Sequence, residues 1–347
     1  MNLTIFFQTL AIVIIVQSFL YVLFLLKDRS LLSNRLLATF LLVVIATFLN
    51  LFLRNNYNIT YFFYELASLM TPLIYLYVSS LTIRSFKLTS KNVIHFSGFF
   101  IIAIIHLTEV SWDGLHGKII PILLFIYSYV YLFLSVKRIR LFHKSLMDQS
   151  SNYNAHNLKW LNFEILVLSI CFISLGIESV ALITNYKGAY EMMVLCIFLS
   201  FLIFINILTY KSLTSPHQFE LIEHNPENKY VANKLSLKDS KNYYNILLDL
   251  ISKEKPFKNG DLHLKELARM MDISPAILSQ VINQNSKMNF NDFINKFRVD
   301  EAKKLLQNRE LLIKQVMYEC GFNSTSTFNE VFKKHVNMNP SKYRSEL

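Results

Sequence analysis

Glycine is scarce in this sequence, seven residues in 347, and cysteine is scarcer still at three. Loops that bring backbone against a phosphate are built from clustered glycines, so the shortage argues against a loop-built nucleotide site. Cys171 and Cys196 lie in hydrophobic stretches and Cys320 in the more polar half. Their spacing matches neither a zinc site nor a disulfide framework, so buried free thiols are expected. There is no nucleophile elbow, no zinc-protease helix and no pair of intramembrane aspartate motifs, and the chain is not read as an enzyme. Neither a cofactor nor a metal is expected. The first residues lack a basic stretch, and the apolar run continues to Leu26 with no small-residue cleavage site. That excludes a cleaved signal peptide and leaves a membrane span.

What the chain does have is hydrophobic length. Residues 1–210 are dominated by Leu, Ile, Phe, Val and Tyr, whereas 211–347 have the mixed polarity of a soluble domain. Apolar stretches fall at about 3–26, 36–53, 61–83, 93–110, 119–136, 161–184 and 190–210. Each is near the ~20 residues that a bilayer core requires, and the pattern predicts seven spans. Alternate loops hold 11 basic residues on one side (Lys27, Arg29, Arg35, Arg84, Lys87, Lys91, Lys137, Arg138, Arg140, Lys144 and Lys159) and three on the other, Arg54, Lys118 and Lys187. The basic side is cytoplasmic. The N-terminus is therefore expected outside a multi-pass cytoplasmic (inner) membrane and the C-terminal part inside the cell. In that orientation Glu65, His106, Glu109, Glu178 and Glu191 all fall in the outer half, with Glu164 the exception near the cytoplasmic end of the sixth span. Ionisable groups at membrane depth are costly and face an interior cavity or a partner. Two readings stand: an outward-facing pocket for a cationic ligand, metal ion or proton, or span-end groups solvated by water and headgroups.

The polar half is basic. Of the 35 Lys and Arg, 21 lie after residue 210, which suits nucleic acid or an anionic membrane surface. Residues 211–236 are polar, contain two prolines and read as a linker. From 237 to 253, Tyr243, Tyr244, Leu247, Leu248, Leu250 and Ile251 recur at near-helical spacing. The resulting amphipathic helix either packs on the C-terminal domain beyond it or pairs with its copy in a second chain. A divergent repeat comes next. Leu264, Leu267, Ala268, Asp272, Ile273 and Ser274 align with Ile313, Val316, Met317, Gly321, Phe322 and Asn323 at an offset of 49 residues. In each copy a helix ends at a residue able to take positive φ (Asp272, Gly321), followed by an apolar plug and a polar cap. A second helix then turns Leu278, Val281 and Ile282, or Phe328, Val331 and Phe332, inward, with Pro275 at a first helical position. Helix, tight turn, helix, twice over, is a pattern of DNA readers. Between the copies a helix is predicted from Phe290 to Gln307, burying Phe293, Ile294, Phe297, Val299, Ala302, Leu305 and Leu306. It would hold the two units at a separation suited to successive major-groove faces.

The stretches LKELARMMDISPAILSQVIN, FRVDEAKKLL and GFNSTSTFNEVFKKHVNMNPSKYR carry a family resemblance. Residues 261–344 resemble the AraC/XylS-type DNA-binding domain, and the chain taken whole resembles the membrane-bound members of that family. The resemblance implies that the first recognition helix presents Ala276, Ser279 and Gln280 to bases, and the second Thr325, Ser326, Asn329 and Glu330. It also sets Lys287, Arg298, Lys333 and Lys334 against phosphates. The chemistry agrees: Gln and Asn pair with adenine, Glu with cytosine, and Ser and Thr with several bases, while cations on phosphates supply register and affinity. Four positions depart from the family pattern. His263 stands where a capping Thr is usual, Met317 where a small Ala is, Asn337 where a Gly is and Glu330 where an Arg is.

The expected architecture is all-α. A seven-helix transmembrane sensor module spans 1–210, a juxtamembrane linker 211–236, an amphipathic helix and connection 237–260, and a double helix-turn-helix domain 261–347. The expected function is a membrane-embedded one-component transcription regulator. Its partners would be double-stranded DNA, membrane lipid, a second copy of itself and a small ligand or ion on the outer side. Two rivals remain: a transporter-like module with an autoregulatory DNA-binding tail, and a head released by proteolysis within the linker.

Overall fold

The computed structural model describes residues 3–28, 31–57, 63–83, 86–107, 115–152, 158–183, 190–214 and 237–347. They fall into two compact units, one drawn from residues 1–140 and 158–224, the other from 141–157 and 225–347. Among the described residues there is no strand; an isolated antiparallel bridge pairs Ser150 with His263.

The first unit contains α1 (Leu3–Leu25), α2 (Leu32–Tyr57), α3 (Phe63–Thr82), a 3-10 turn (Ser90–Phe96) leading into α4 (Ser97–Leu107), most of α5 (Leu115–Met147), α6 (Lys159–Ile183) and α7 (Tyr190–Thr214). Among the described residues, five helical stretches are long and apolar enough to cross a membrane: Ile5–Leu25, Leu32–Leu53, Ile122–Met147, Lys159–Ile177 and Met192–Lys211. They expose Phe19, Leu20, Phe133 and Leu166 to an extent that only a lipid or protein neighbour would reward. On their inner faces α7 packs against α1 and α2. The Tyr21 hydroxyl donates to the Leu208 carbonyl at 3.2 Å, and Phe48 sits edge-on to Phe198 and Phe201 at 5.1 and 5.2 Å.

The remaining two apolar segments differ from simple spans for local reasons. In α3, Ala67, Met70, Ile74, Tyr77 and Val78 are buried together with Glu65, Ser68, Thr71, Ser79 and Ser80. A helix enclosed by its neighbours needs less apolar surface than one facing lipid. Three of its hydroxyls bond back to the helix itself, Ser68 to the Glu65 carbonyl (2.6 Å), Ser80 to Tyr77 (2.7 Å) and Thr82 to Val78 (2.8 Å), which satisfies those three without water. The segment expected at 93–110 opens instead as a 3-10 turn at Ser90, because the Asn92 side chain accepts from the Thr89 backbone N–H at 2.8 Å. The fifth segment does not stop at 136. α5 runs on to Met147, since 137–147 contain no glycine or proline and Ile139, Phe142 and Leu146 keep a helical period of buried positions.

The second unit is built from α8 (Leu237–Glu254), a 3-10 turn (Pro256–Lys258), α9 (Leu264–Met270), α10 (Pro275–Ser286), α11 (Phe290–Leu305), α12 (Ile313–Glu319), α13 (Thr325–Val336) and α14 (Pro340–Ser345). Two cores share α11. Leu247, Ile251, Leu267, Leu278 and Ile282 close on Phe290, Phe293 and Ile294, while Val316, Met317, Phe322, Phe328 and Phe332 close on Val299, Ala302 and Leu306. The amphipathic α8 packs on α10 within the same chain: Leu247 and Ile251 enter the first core, and the Asn285 amide donates to the Ser240 hydroxyl at 2.9 Å. α11 ends at Leu305, two residues short of the expected Gln307.

An ion-pair cluster joins α11 to the connection behind α8. Glu301, 10% exposed, lies 2.9 Å from Lys255 Nζ and 3.4 Å from Lys258 Nζ. Burial pushes the Glu301 carboxyl up, but the two ammonium groups outweigh it and hold it below the usual carboxylate range. A folded pKa below the unfolded value of about 4.3 means stability that is present above that value and lost as pH falls through the folded one. We expect Glu301→Gln to flatten the acid limb of the unit's stability below about pH 5. The cost at neutral pH should stay under about 2 kcal/mol, because both lysines are 44% exposed and solvent screens the pair. Urea midpoints measured against pH test this, and an unchanged acid slope in the variant would refute it.

Candidate nucleic-acid interface

In the second unit α10 and α13 each start at a side-chain cap, Ser274 as the repeat predicts and Ser324 one residue beyond the expected Asn323. Ser274 accepts from the Ile277 N–H at 3.3 Å ahead of Pro275 in α10, and Ser324 accepts from the Thr327 N–H at 3.2 Å at the start of α13. Capping consumes one of the amides a helix start leaves unpaired. The turns that precede them carry the positive φ that the repeat predicts, 52° at Asp272 and 84° at Gly321. Asn337 closes α13 in the left-handed region, φ 62°, where the family pattern has glycine.

Burial divides each helix into two faces. On α10, Leu278, Val281 and Ile282 are buried, while Ala276, Ser279 and Gln280 are half-buried along the opposite stripe. Asn283 continues that stripe, is exposed, and donates to the Ser279 hydroxyl at 3.4 Å. The sequence reading missed it, although its spacing from Ser279 and Gln280 is helical. On α13, Phe328 and Phe332 are buried in a ladder running from Phe322 to Tyr343, with ring centroids 5.1, 5.7 and 5.4 Å apart. Thr325, Ser326, Asn329 and Glu330 are all exposed on the other side. Each helix thus offers a row of short polar side chains with donors and acceptors that suit base edges.

The four basic residues meet different fates. Lys287 and Lys333 are exposed at the C-terminal ends of α10 and α13. Lys334 is exposed but also bonds Asp292 at 2.6 Å, tying α13 to the first turn of α11. Arg298 faces inward instead. It is 2% exposed, and its Nε donates to the Phe257 carbonyl at 2.8 Å and its Nη2 to the Asn259 carbonyl at 2.7 Å. Its guanidinium lies 5.6 Å from the Phe322 ring centroid, and burial lowers its pKa to about 10, still charged at neutral pH. A side chain so engaged is not presented to a phosphate. The reason lies in α11, where Asn291, Asn295, Arg298 and Glu301 form a buried polar row at helical spacing. Scoring only apolar periodicity passes over such a row.

In the first unit, Glu65 in the opening turn of α3 is fully buried, as is Glu164 on α6. Glu109, and the side chains of His106, Glu178 and Glu191, lie outside the described residues. Of the cysteines, Cys171 and Cys320 are buried and Cys196 is half-buried, all free.

Residues 267–346 match the family described as "Helix-turn-helix domain". Among curated proteins, the chain is similar to the "Uncharacterized HTH-type transcriptional regulator YijO" of Escherichia coli (strain K12), 33% identical over 82 residues that cover 24% of this chain and 29% of that one. It is also similar to the "HTH-type transcriptional activator RhaR" of the same strain, 37% identical over 71 residues, 20% of this chain and 25% of that one. The chain therefore spans less than a third of the length of these relatives. Among solved structures, the C-terminal domain of AraT, a response regulator from Geobacillus stearothermophilus, is 27% identical over 33% of this chain and 88% of that one. Its TM-score of 0.27 is too low to carry a fold argument.

Proposed function

We propose that this chain is a membrane-embedded, one-component transcription regulator of the AraC type, which reads DNA with two helix-turn-helix units. The observation that carries the reading is the pair of capped helices, α10 and α13, each with an apolar face in a core and a polar face in solvent, inside the region that matches a helix-turn-helix domain. The names of the similar curated proteins support a regulator rather than an enzyme. Five long apolar helices among the described residues support a membrane location. The finer reading is a seven-span sensor with its N-terminus outside and the DNA reader in the cytoplasm. Its domains would be 1–210, 211–236, 237–260 and 261–347.

In this reading Ala276, Ser279 and Gln280 enter one stretch of major groove and Thr325, Ser326, Asn329 and Glu330 the next. Lys287, Lys333 and Lys334 supply phosphate contacts. Glu330 repels phosphate and so selects a base that donates, cytosine above all. Glu65, His106, Glu109, Glu178 and Glu191 would line an outward pocket for a small ligand or ion. A second copy in the same membrane would let two heads engage paired sites, an avidity gain that needs no new contact.

Genome-wide occupancy of the full-length protein tests this against a variant carrying Ser279→Ala, Gln280→Ala, Thr325→Ala and Ser326→Ala. Each lost base contact is worth about 1–3 kcal/mol, so discrete sites should vanish in the variant while it stays intact in the membrane fraction. Occupancy that survives all four changes, or a wild-type protein with no discrete sites, would end the reading.

A further inference from the structure

The second unit contains a piece of chain that sequence order would assign to the membrane half. Residues 141–157, the last turns of α5 and the chain that follows them, group with 225–347. Their described part meets the start of α9 through backbone. The Ser151 N–H donates to the Leu262 carbonyl at 3.1 Å, the Leu264 N–H donates to the Gln149 carbonyl at 3.0 Å, and Ser150 and His263 face each other across this antiparallel bridge. The bridge supplies what α9 lacks. His263 is its N-cap and makes no side-chain capping bond, so the first helical amide, Leu264, finds its acceptor in residue 149.

Side chains deepen the contact. Ser150 and Ser151 are 2% and 3% exposed. The buried Asn291 amide of α11 donates to both of their carbonyls, at 3.1 and 2.8 Å. Arg298 donates to the Ser151 carbonyl at 3.3 Å and to its hydroxyl at 3.0 Å. Asn152 Nδ2 lies 2.8 Å from Asp261 Oδ1, and the same oxygen accepts from Asn323 Nδ2 at 3.0 Å. Asn323 immediately precedes Ser324, the cap of α13. One five-residue strap thus touches the start of the first helix pair, the middle of α11 and the turn ahead of the second recognition helix. Buried donors without acceptors are costly, and on Asn291 the strap carbonyls are the acceptors for that amide.

We propose that residues 148–152 are a docking strap for the DNA reader, and that the docked strap holds α9, α11 and the α13 turn in the DNA-binding arrangement. α5 is helical to Met147, three residues before the bridged Ser150, so movement of α5 would reach α9 through a short connection. The covalent route from α7, ending at Thr214, to α8, beginning at Leu237, is far longer. This inference deepens the proposed function and rests on it for its DNA readout, but not for its docking readout.

The full chain in detergent, carrying Ser150→Cys and His263→Cys, tests both. Bridge partners whose flanking residues make the hydrogen bonds have Cα atoms about 4.5 Å apart, inside the range a disulfide needs. We expect oxidation to link 150 to 263, read by mass spectrometry of the digest and needing no DNA, with each single-cysteine variant as control. The linked protein should retain its binding to the duplexes it enriches from a randomised pool, and Ser151→Pro, which removes the N–H that Leu262 accepts, should weaken that binding about tenfold, roughly the worth of one to two net hydrogen bonds. Failure to form the link overturns the docking. A link that forms but abolishes DNA binding overturns the assignment of the docked state as the reading state. If neither wild type nor variants enrich any duplex while the link forms, the DNA-reading proposal fails and the docking survives.

Discussion

Gly321→Ala is expected to cost the second unit about 3–5 kcal/mol, the range reserved for the most damaging single substitutions. Gly321 has φ +84°, where a side chain pays roughly 1–2 kcal/mol. The added Cβ would also press on the Phe257 carbonyl oxygen and lie 2.8 Å from the Lys258 carbonyl oxygen. Both obstacles are backbone, so no rotamer change relieves them. The turn itself is held by the Gly321 N–H to Tyr318 and the Phe322 N–H to Met317, at 3.0 and 3.1 Å. Shifting it withdraws Phe322, 1% exposed, from its place beside Phe328. Domains of this size are stable by only about 5–15 kcal/mol. Both tryptophans, Trp112 and Trp160, precede residue 211, so intrinsic fluorescence would miss the loss. Hydrogen exchange of amides in 313–336 reads it directly, with an expected acceleration of about a hundredfold or more. Protection within tenfold of wild type would show that the turn tolerates a side chain. Asp272→Ala, at the matching turn with φ 52°, should by contrast cost under about 1 kcal/mol, because the aspartate already carries a Cβ in the left-handed region.

Arg298→Met should be nearly as severe, at about 3–5 kcal/mol. The guanidinium serves the carbonyls of Ser151, Phe257, Asn259 and Gly260 at 2.7 to 3.3 Å. Methionine fills much of the volume but takes the guanidinium donor from the Phe257 carbonyl, and from the Ser151, Asn259 and Gly260 carbonyls one of two donors each, and a buried orphan costs about 1–3 kcal/mol. Arg298→Lys should rescue little, because three donors on one point cannot reach acceptors arranged around a planar fork. Exchange protection should fall first at 255–264 and 148–152, ahead of the second core, which distinguishes this lesion from that at Gly321. Stability within 1 kcal/mol of wild type for Arg298→Met would mean that water replaces the guanidinium without loss.

Much of the second unit was legible because its signals are local. Ser274 before Pro275 and Gly321 before Phe322 each dictate a cap or a turn within a few residues, whereas the second cap falls on Ser324, one residue beyond the Asn323 that the repeat offers. The repeat offset located both turns, and the family resemblance supplied the polar stripes. Less was legible in the first unit. Hydropathy registers how apolar a stretch is and not which neighbours enclose it, so α3, with Glu65 and its hydroxyls inside, and the 3-10 start at Ser90 depart from simple spans.

Composition and periodicity by themselves determined that the chain is helical, that one half is apolar and the other basic, and, to within one residue, where the two capped helices begin. These follow from side-chain polarity and backbone preference over a few turns, which the order of residues contains. Only the tertiary structure decided that Arg298 faces inward, that α8 packs on α10, and that Gln149 to Asn152 complete the start of α9. Each of those depends on hydrogen bonds between residues about 40 to 150 positions apart. A buried arginine and an exposed one share the same letter, and what separates them is which carbonyls the fold brings within reach.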